Sequence, residues 1–128
     1  MLPLEEIVKL KNNLLQTASI WRYNRDDRKR EGEYLYRQAA FLEKLIGNHY
    51  CDVRKYNFAL VNFISELSIL YVTLDDAEAA DTALGEALKR IKDETVREKL
   101  KTEYDKDKIV KEIIEEIKRE EKEKTLTP

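Results

Sequence analysis

Apolar side chains recur along this chain at spacings of three, four and seven residues, interrupted only at short polar corners. From about Leu4 to Asn24 the stripe is Leu4, Ile7, Val8, Leu14, Leu15, Ala18 and Trp21, which predicts a helix with one buried face. Pro3 suits the first turn, where its missing N–H costs nothing, and Glu5 and Glu6 favour the positive end of the helix dipole. A second helix is predicted from about Glu33 to Ile46, on Leu35, Gln38/Ala39, Leu42, Leu45 and Ile46. Gly47-Asn48 would stop it, because both residues tolerate the left-handed conformation that ends helices. Between these two segments, NRDDRKREG contains only Gly32 as a weak breaker. The third segment, about Asp52 to Leu74, is the most apolar. Val53, Tyr56, Leu60, Phe63, Ile64, Leu67, Leu70, Tyr71 and Leu74 form a broad stripe, and Phe58, Ala59, Val61 and Ile69 widen it until little polar face remains. That pattern predicts a central helix packed on more than one side, with Asp52 as its N-cap.

Asp75-Asp76 reads as a tight corner, with either Asp able to cap the helix that follows. The fourth segment, about Asp76 to Ile91, sets Ala77, Ala80, Ala83, Leu84, Ala87, Leu88 and Ile91 on one face, and its small residues let a neighbouring helix come close. From Glu94 to about Glu123 the stripe thins to Val96, Leu100 and Tyr104, then Ile109, Val110, Ile113, Ile114 and Ile117. Its phase slips between Tyr104 and Ile109, which predicts two helices with a corner at Asp105-Lys106-Asp107. EEIKREEKEK has charges that can pair three or four apart and no core residues. The expected organisation is a helical domain over residues 1–117 and a charged tail over 118–128. The expected fold is all-α, with five or six helices in antiparallel hairpins.

Within segments three and four, Leu67, Ser68, Tyr71, Ala80, Leu84 and Ala87 stand at the spacing of the Leu, Gly, Tyr, Ala, Phe and Ala positions of the tetratricopeptide repeat. Residues 61–94 therefore resemble one helical hairpin of that family. Large residues on its first helix nest against small residues on its second. Ser68 stands for the glycine, Leu84 for the Phe, Ile64 at the Trp-like position and Lys92 where the closing Pro would be. A shift of about 34 residues, one repeat, puts Arg37 or Asp105 at the Tyr position. The resemblance thus covers one unit, a quarter of the chain. It implies a helical bundle or a short array similar to tetratricopeptide proteins, which bind other proteins.

Composition agrees with helix throughout. Of 128 residues, 39% are charged, with net charge −2, only 3 Gly and 2 Pro, and both prolines at the ends. The Glu/Lys excess and scarce Gln resemble thermophile composition. A single cysteine, Cys51, excludes an intrachain disulfide and suits a reducing cytoplasm. The acidic start MLPLEEIVKL predicts no secretory signal. Asn62, Ser65, Glu66 and Ser68 interrupt the longest apolar run too often for a membrane span.

Little in the chain points to catalysis. His49, the single histidine, follows the expected helix stop two residues before Cys51, and no third group is evident to orient a Cys–His pair. A zinc site would need about four Cys/His ligands, and only these two exist. Helical ribonuclease domains of the HEPN kind are similar in size and helix count, but they need an Arg shortly before a His, and the nearest upstream Arg here is Arg37. Gly32, Gly47 and Gly85 are isolated, so no phosphate loop is expected. Paired acids such as Asp26-Asp27, Asp75-Asp76 and Glu115-Glu116 read as solvated corners and faces. The expectation is a protein without enzymatic activity, cofactor or metal, with an active site near His49 and Cys51 as the weakest alternative.

Two surfaces are candidates for binding. Ile109, Ile113, Ile114 and Ile117 form an aliphatic edge on a charged helix without an evident intramolecular partner, a common docking or self-association surface. Arg22, Arg25, Arg28, Lys29, Arg30 and Arg37 form a basic corner with Trp21, Tyr23 and Tyr34 nearby. Residues 22–55 hold nine Lys/Arg against six Asp/Glu, and residues 56–91 hold two against six, a charge dipole that can steer a partner. Phosphate attraction and base stacking would serve nucleic acid, but Asp26, Asp27, Glu31 and Glu33 dilute the field. The expected function is therefore a protein-binding adaptor or assembly subunit. The alternative is an accessory subunit touching DNA or RNA through the basic corner.

Overall fold

The computed structural model describes residues 3–24 and 26–126. The fold is all-α. Five helices follow one another: α1 (Leu4–Asn24), α2 (Lys29–Asp52), α3 (Tyr56–Ser68), α4 (Ala77–Arg90) and α5 (Glu94–Leu126). A 3₁₀ turn, Asp26–Arg28, leads into α2, and a π-helical turn, Ile69–Thr73, extends α3. No strand is present among the described residues.

The helices pack as a chain of antiparallel neighbours. Lys11 of α1 pairs with Glu43 of α2 while Arg22 pairs with Glu33, so the two helices run in opposite directions. Gly47 of α2 meets Phe63 of α3, and Tyr50 meets Phe58. The Tyr104 hydroxyl of α5 donates to Asp81 of α4 at 2.5 Å, and Arg97 reaches the carbonyl of Leu88 near the other end of that pair. Helix α3 is central, in contact with α2, α4 and α5, as its broad apolar stripe predicts. Phe63 and Leu67 are buried there in one core with Ala80, Ala83 and Ala87 of α4 and with Ile91, Val96, Leu100 and Tyr104.

Helix α2 begins at Lys29, four residues before the expected start at Glu33, and three further boundaries differ from the sequence pattern, each for a local physical reason. Helix α2 does not stop at Gly47-Asn48; it continues to Asp52. Gly47 is buried in helical conformation, and a Cβ there would stand 2.6 Å from Cε1 of Phe63. Its small size lets α3 approach, and its conformational freedom is unused. Gly32 does the same on the opposite flank, where a Cβ would lie 2.8 Å from the backbone nitrogen of Arg22 in α1. The actual stop is a Schellman arrangement. Arg54 takes the left-handed conformation (φ 60°), its N–H bonds to the Cys51 carbonyl and the Lys55 N–H to the Tyr50 carbonyl. Asp52 is therefore the last residue of α2 and not the cap of α3.

At the next corner Asp75 is left-handed (φ 53°) and Asp76 is the cap, accepting from the Ala79 N–H at 3.1 Å. The third difference is α5, one continuous helix with no corner at residues 105–107. At 100° per residue, the mean direction of Ile109, Val110, Ile113, Ile114 and Ile117 lies roughly a third of a turn from that of Val96, Leu100 and Tyr104, with Ile109 farthest round and Ile114 nearest to the buried face. The slip in apolar phase marks a change of facing surface along a straight helix. Residues 118–126 continue α5, and the side chains from 112 to 124 are exposed.

Replacing Gly32 or Gly47 by Ala is expected to destabilise the fold by about 1–3 kcal/mol through overpacking. Gly85→Ala, where a Cβ meets nothing within 4 Å, should stabilise it by roughly 0.5–1 kcal/mol. Urea unfolding of the three variants checks the opposite signs. Arg54→Gly should also raise the unfolding midpoint, since glycine adopts the left-handed conformation without the steric cost of about 1 kcal/mol.

Candidate functional site

Helices α2 and α4 run in the same direction on one side of α3, and three ion pairs span the seam between them. In chain order these are Arg37–Asp76 (3.0 Å), Lys44–Glu86 (2.7 Å) and Asp52–Arg90 (3.5 Å). A groove of about 480 Å³ lies along the first part of the seam and a smaller one of about 320 Å³ along the second. Lys44, Glu86, Glu66 and Ala83 line both, so the middle ion pair separates them. Glu66 comes from α3 beneath and is only 4% exposed.

Local sequence explains this placement. Phe63, Glu66, Leu67 and Leu70 share one helical face, and the first, third and fourth are core residues. Glu66 therefore points where an apolar residue would normally stand. Among the described residues it has no hydrogen-bond or ion-pair partner within bonding distance. Burial pushes its carboxyl up from an ordinary 4.5 to about 7. Lys44 opposes this shift, and Glu86 and Glu43 reinforce it. Glu43, on α2, is the second buried acid at 2% exposure, and it pairs with Lys11 at 2.9 Å.

The aliphatic edge of α5 is open. Ile109, Ile113, Ile114 and Ile117 are 56%, 52%, 38% and 49% exposed, and Val110 joins them. Lys111, within the span of this edge, ties α5 to the body. Lys111 pairs with Asp75 and its ammonium lies 4.3 Å from the Tyr71 ring centroid.

The basic corner is divided among separate tasks. Arg22 donates to Glu33 at 2.8 Å and lies over Tyr23, Arg28 stacks over Trp21 at 5.2 Å, and Arg37 faces Asp76 on the α4 side. Lys29 and Arg30 are exposed, and Arg25 lies outside the described residues. Of the five described positions, Arg22, Arg28 and Arg37 are thus engaged with different partners. His49 and Cys51 sit in the last turn of α2, not in a loop. His49 is exposed and Cys51 is buried, which pushes its thiol up and disfavours the thiolate.

Among the described residues, no cluster of three or more His, Cys, Asp or Glu is placed to hold a metal ion. No helix among them is long and apolar enough to cross a membrane. No known protein family, curated protein or solved structure matches this chain.

The sequence pattern missed the Glu66 groove, although its signal was present. A lone acid inside the most apolar helix interrupts a stripe that is otherwise core. The missing information was that α2 and α4 run side by side across it.

The raised carboxyl has a calculable consequence for stability. Between pH 4.5 and about 7 the native state holds a proton on Glu66 that the unfolded chain has released. Stability therefore falls as pH rises through that window and stays reduced above it. Glu66→Gln is expected to remove this slope. Its advantage over the wild type should be near zero at pH 4 and on the order of 3 kcal/mol at pH 8. Thermal melts at both pH values check it.

Proposed function

We propose that this protein is a non-catalytic binding module, an adaptor or assembly subunit of the cytoplasm, that docks another protein on the aliphatic edge of α5. The carrying observation is the facing of that edge. Val96, Leu100 and Tyr104 fasten α5 to the body. Ile109, Val110, Ile113, Ile114 and Ile117 are centred roughly a third of a turn away from them, exposed along a helix flanked by charge. Contiguous apolar surface with a polar surround is typical of helix-in-groove and helix-on-helix recognition, read at spacings of three and four.

The remaining surface supports the same reading in a secondary way. Helices α3 and α4 nest closely through Ala80, Ala83 and Ala87, the part of the chain that resembles a tetratricopeptide hairpin. Such a compact body would hold α5 out for a partner. The single buried Cys51 suits a reducing compartment.

The double change Ile113→Glu and Ile117→Glu is the test. Neither side chain contributes to the core, so helix content and unfolding midpoint should stay within about 0.5 kcal/mol of wild type. Capture of the partner from a cell extract, or dimer mass by light scattering if the partner is a second copy, should be lost. Unchanged capture together with unchanged mass would overturn the proposal.

A further inference from the structure

The groove between α2 and α4 is independent of the α5 edge and has its own unmet chemical demand. Four carboxylates, Glu66, Asp76, Glu78 and Glu86, line its wider part against two cations, Arg37 and Lys44. Asp76 and Glu86 are paired with those two cations across the seam. Glu78 is exposed to water, where an unpaired acid costs nothing. Glu66 is different: it is buried, unpartnered and directed into both grooves. A buried carboxylate without a counter-charge is one of the costliest arrangements a protein can hold. Lys44, the nearest cation, is held by Glu86 at 2.7 Å.

The chemistry of a suitable ligand follows from the lining. A divalent metal needs several convergent ligands, and no such cluster is present among the described residues. One buried carboxylate beside the apolar surface of Ala40, Leu70 and Ala83 matches instead a single positive charge carried on a hydrocarbon stem. We propose that the α2–α4 groove binds an aliphatic ammonium group, with the Glu66 carboxylate as its counter-ion and the alkyl stem on Ala40, Leu70 and Ala83. The ammonium belongs either to a free amine or to a lysine side chain of a partner, and Glu78 at the rim offers a second charge to a diamine.

Binding must be linked to protonation. Only ionised Glu66 attracts an ammonium, and Glu66 titrates near pH 7 under the influence of Lys44 and Glu43 from α2 and Glu86 from α4. A bound amine stabilises the ionised form, so it should lower the midpoint of Glu66 and bind more tightly as pH rises.

The test is calorimetric titration of the full-length chain with putrescine, n-butylamine and N-acetyl-lysine methylamide, at pH 6 and pH 8. At least one probe should bind, about tenfold more tightly at pH 8, because the ionised fraction of a group with a midpoint of about 7 rises by roughly that factor. Glu66→Gln should abolish binding, while Glu120→Gln, an exposed acid far along α5, should leave it unchanged. Carbon-13 titration of the wild-type Glu66 carboxyl gives a readout free of any variant, with its midpoint moving down when amine is added. Preference for putrescine assigns the site to a small amine, and preference for the lysine derivative assigns it to a partner's side chain. Absence of binding by all three probes at millimolar concentration, binding retained in Glu66→Gln, or an unmoved Glu66 midpoint would each overturn the proposal.

Discussion

The fold depends on how closely α2 approaches the helices on its two flanks. Gly32 near one end of α2 touches the backbone of α1 at Ala18 and Arg22, and Gly47 near the other touches the ring of Phe63 in α3. At each point even a methyl group would occupy space already filled. Interiors are packed to crystal-like density, so such gaps cannot be opened without displacing everything behind them. Phe63 has nowhere to go, because it is itself fully buried. The Gly32 contact sets where α1 lies against α2, the Gly47 contact sets where α3 lies, and the remaining helices pack on α3. Helix α4 packs its alanines on α3, and α5 lays Val96, Leu100 and Tyr104 into the same core.

The same constraint accounts for what the sequence revealed and what it hid. Helix α1 was legible to the residue, because a single-sided stripe bounded by Pro3 and by the polar run after Trp21 admits one interpretation. The next cap was legible as one of Asp75 and Asp76, since a side-chain cap is a local device with a local signature, and the structure assigns it to Asp76. Gly47 was not. Glycine ends helices by adopting positive φ, and it also permits helices to touch by lacking a Cβ; a single sequence shows the letter and not the reason. The stop fell instead to Arg54, a residue with no left-handed preference, because the Schellman bonds to Cys51 and Tyr50 and the packing of α3 outweigh a local cost of about 1 kcal/mol. The break in phase within α5 misled for a related reason. Periodicity reports which face is apolar, and a helix that serves two different surfaces changes phase without bending.

The seam between α2 and α4 shows how electrostatics is used in this molecule. Its three ion pairs are each substantially exposed, so each contributes at most about 1 kcal/mol, less at high salt. Their value lies in register. They set matching turns of the two parallel helices opposite one another, separated by the length of paired side chains. That separation is what leaves a groove above Glu66, and it also keeps Lys44 turned towards Glu86. A buried, unpaired carboxyl at the bottom of a groove is a local loss of stability once it ionises. Sites that bind commonly carry such a penalty, because a group already satisfied within its own chain has nothing to offer a ligand.

Helix α5 resolves a different conflict. An isolated helix is costly to start and cheap to extend. Val96, Leu100 and Tyr104 supply the start by burial against α3, and Asp93 caps the first turn through the Val96 N–H. Beyond them the helix is extended by residues of high helical propensity, with ion pairs three apart already visible at Glu94–Arg97, Glu98–Lys101 and Glu103–Lys106. Those terms are sufficient to keep the backbone helical but give no reason for five β-branched aliphatic side chains between residues 109 and 117. Isoleucine and valine lower helix propensity slightly, and exposed they gain nothing from burial. Lysine or glutamate at the same positions would serve a solitary helix better. The aliphatic edge therefore opposes the stability of the free helix, a cost that the docking proposed above would explain.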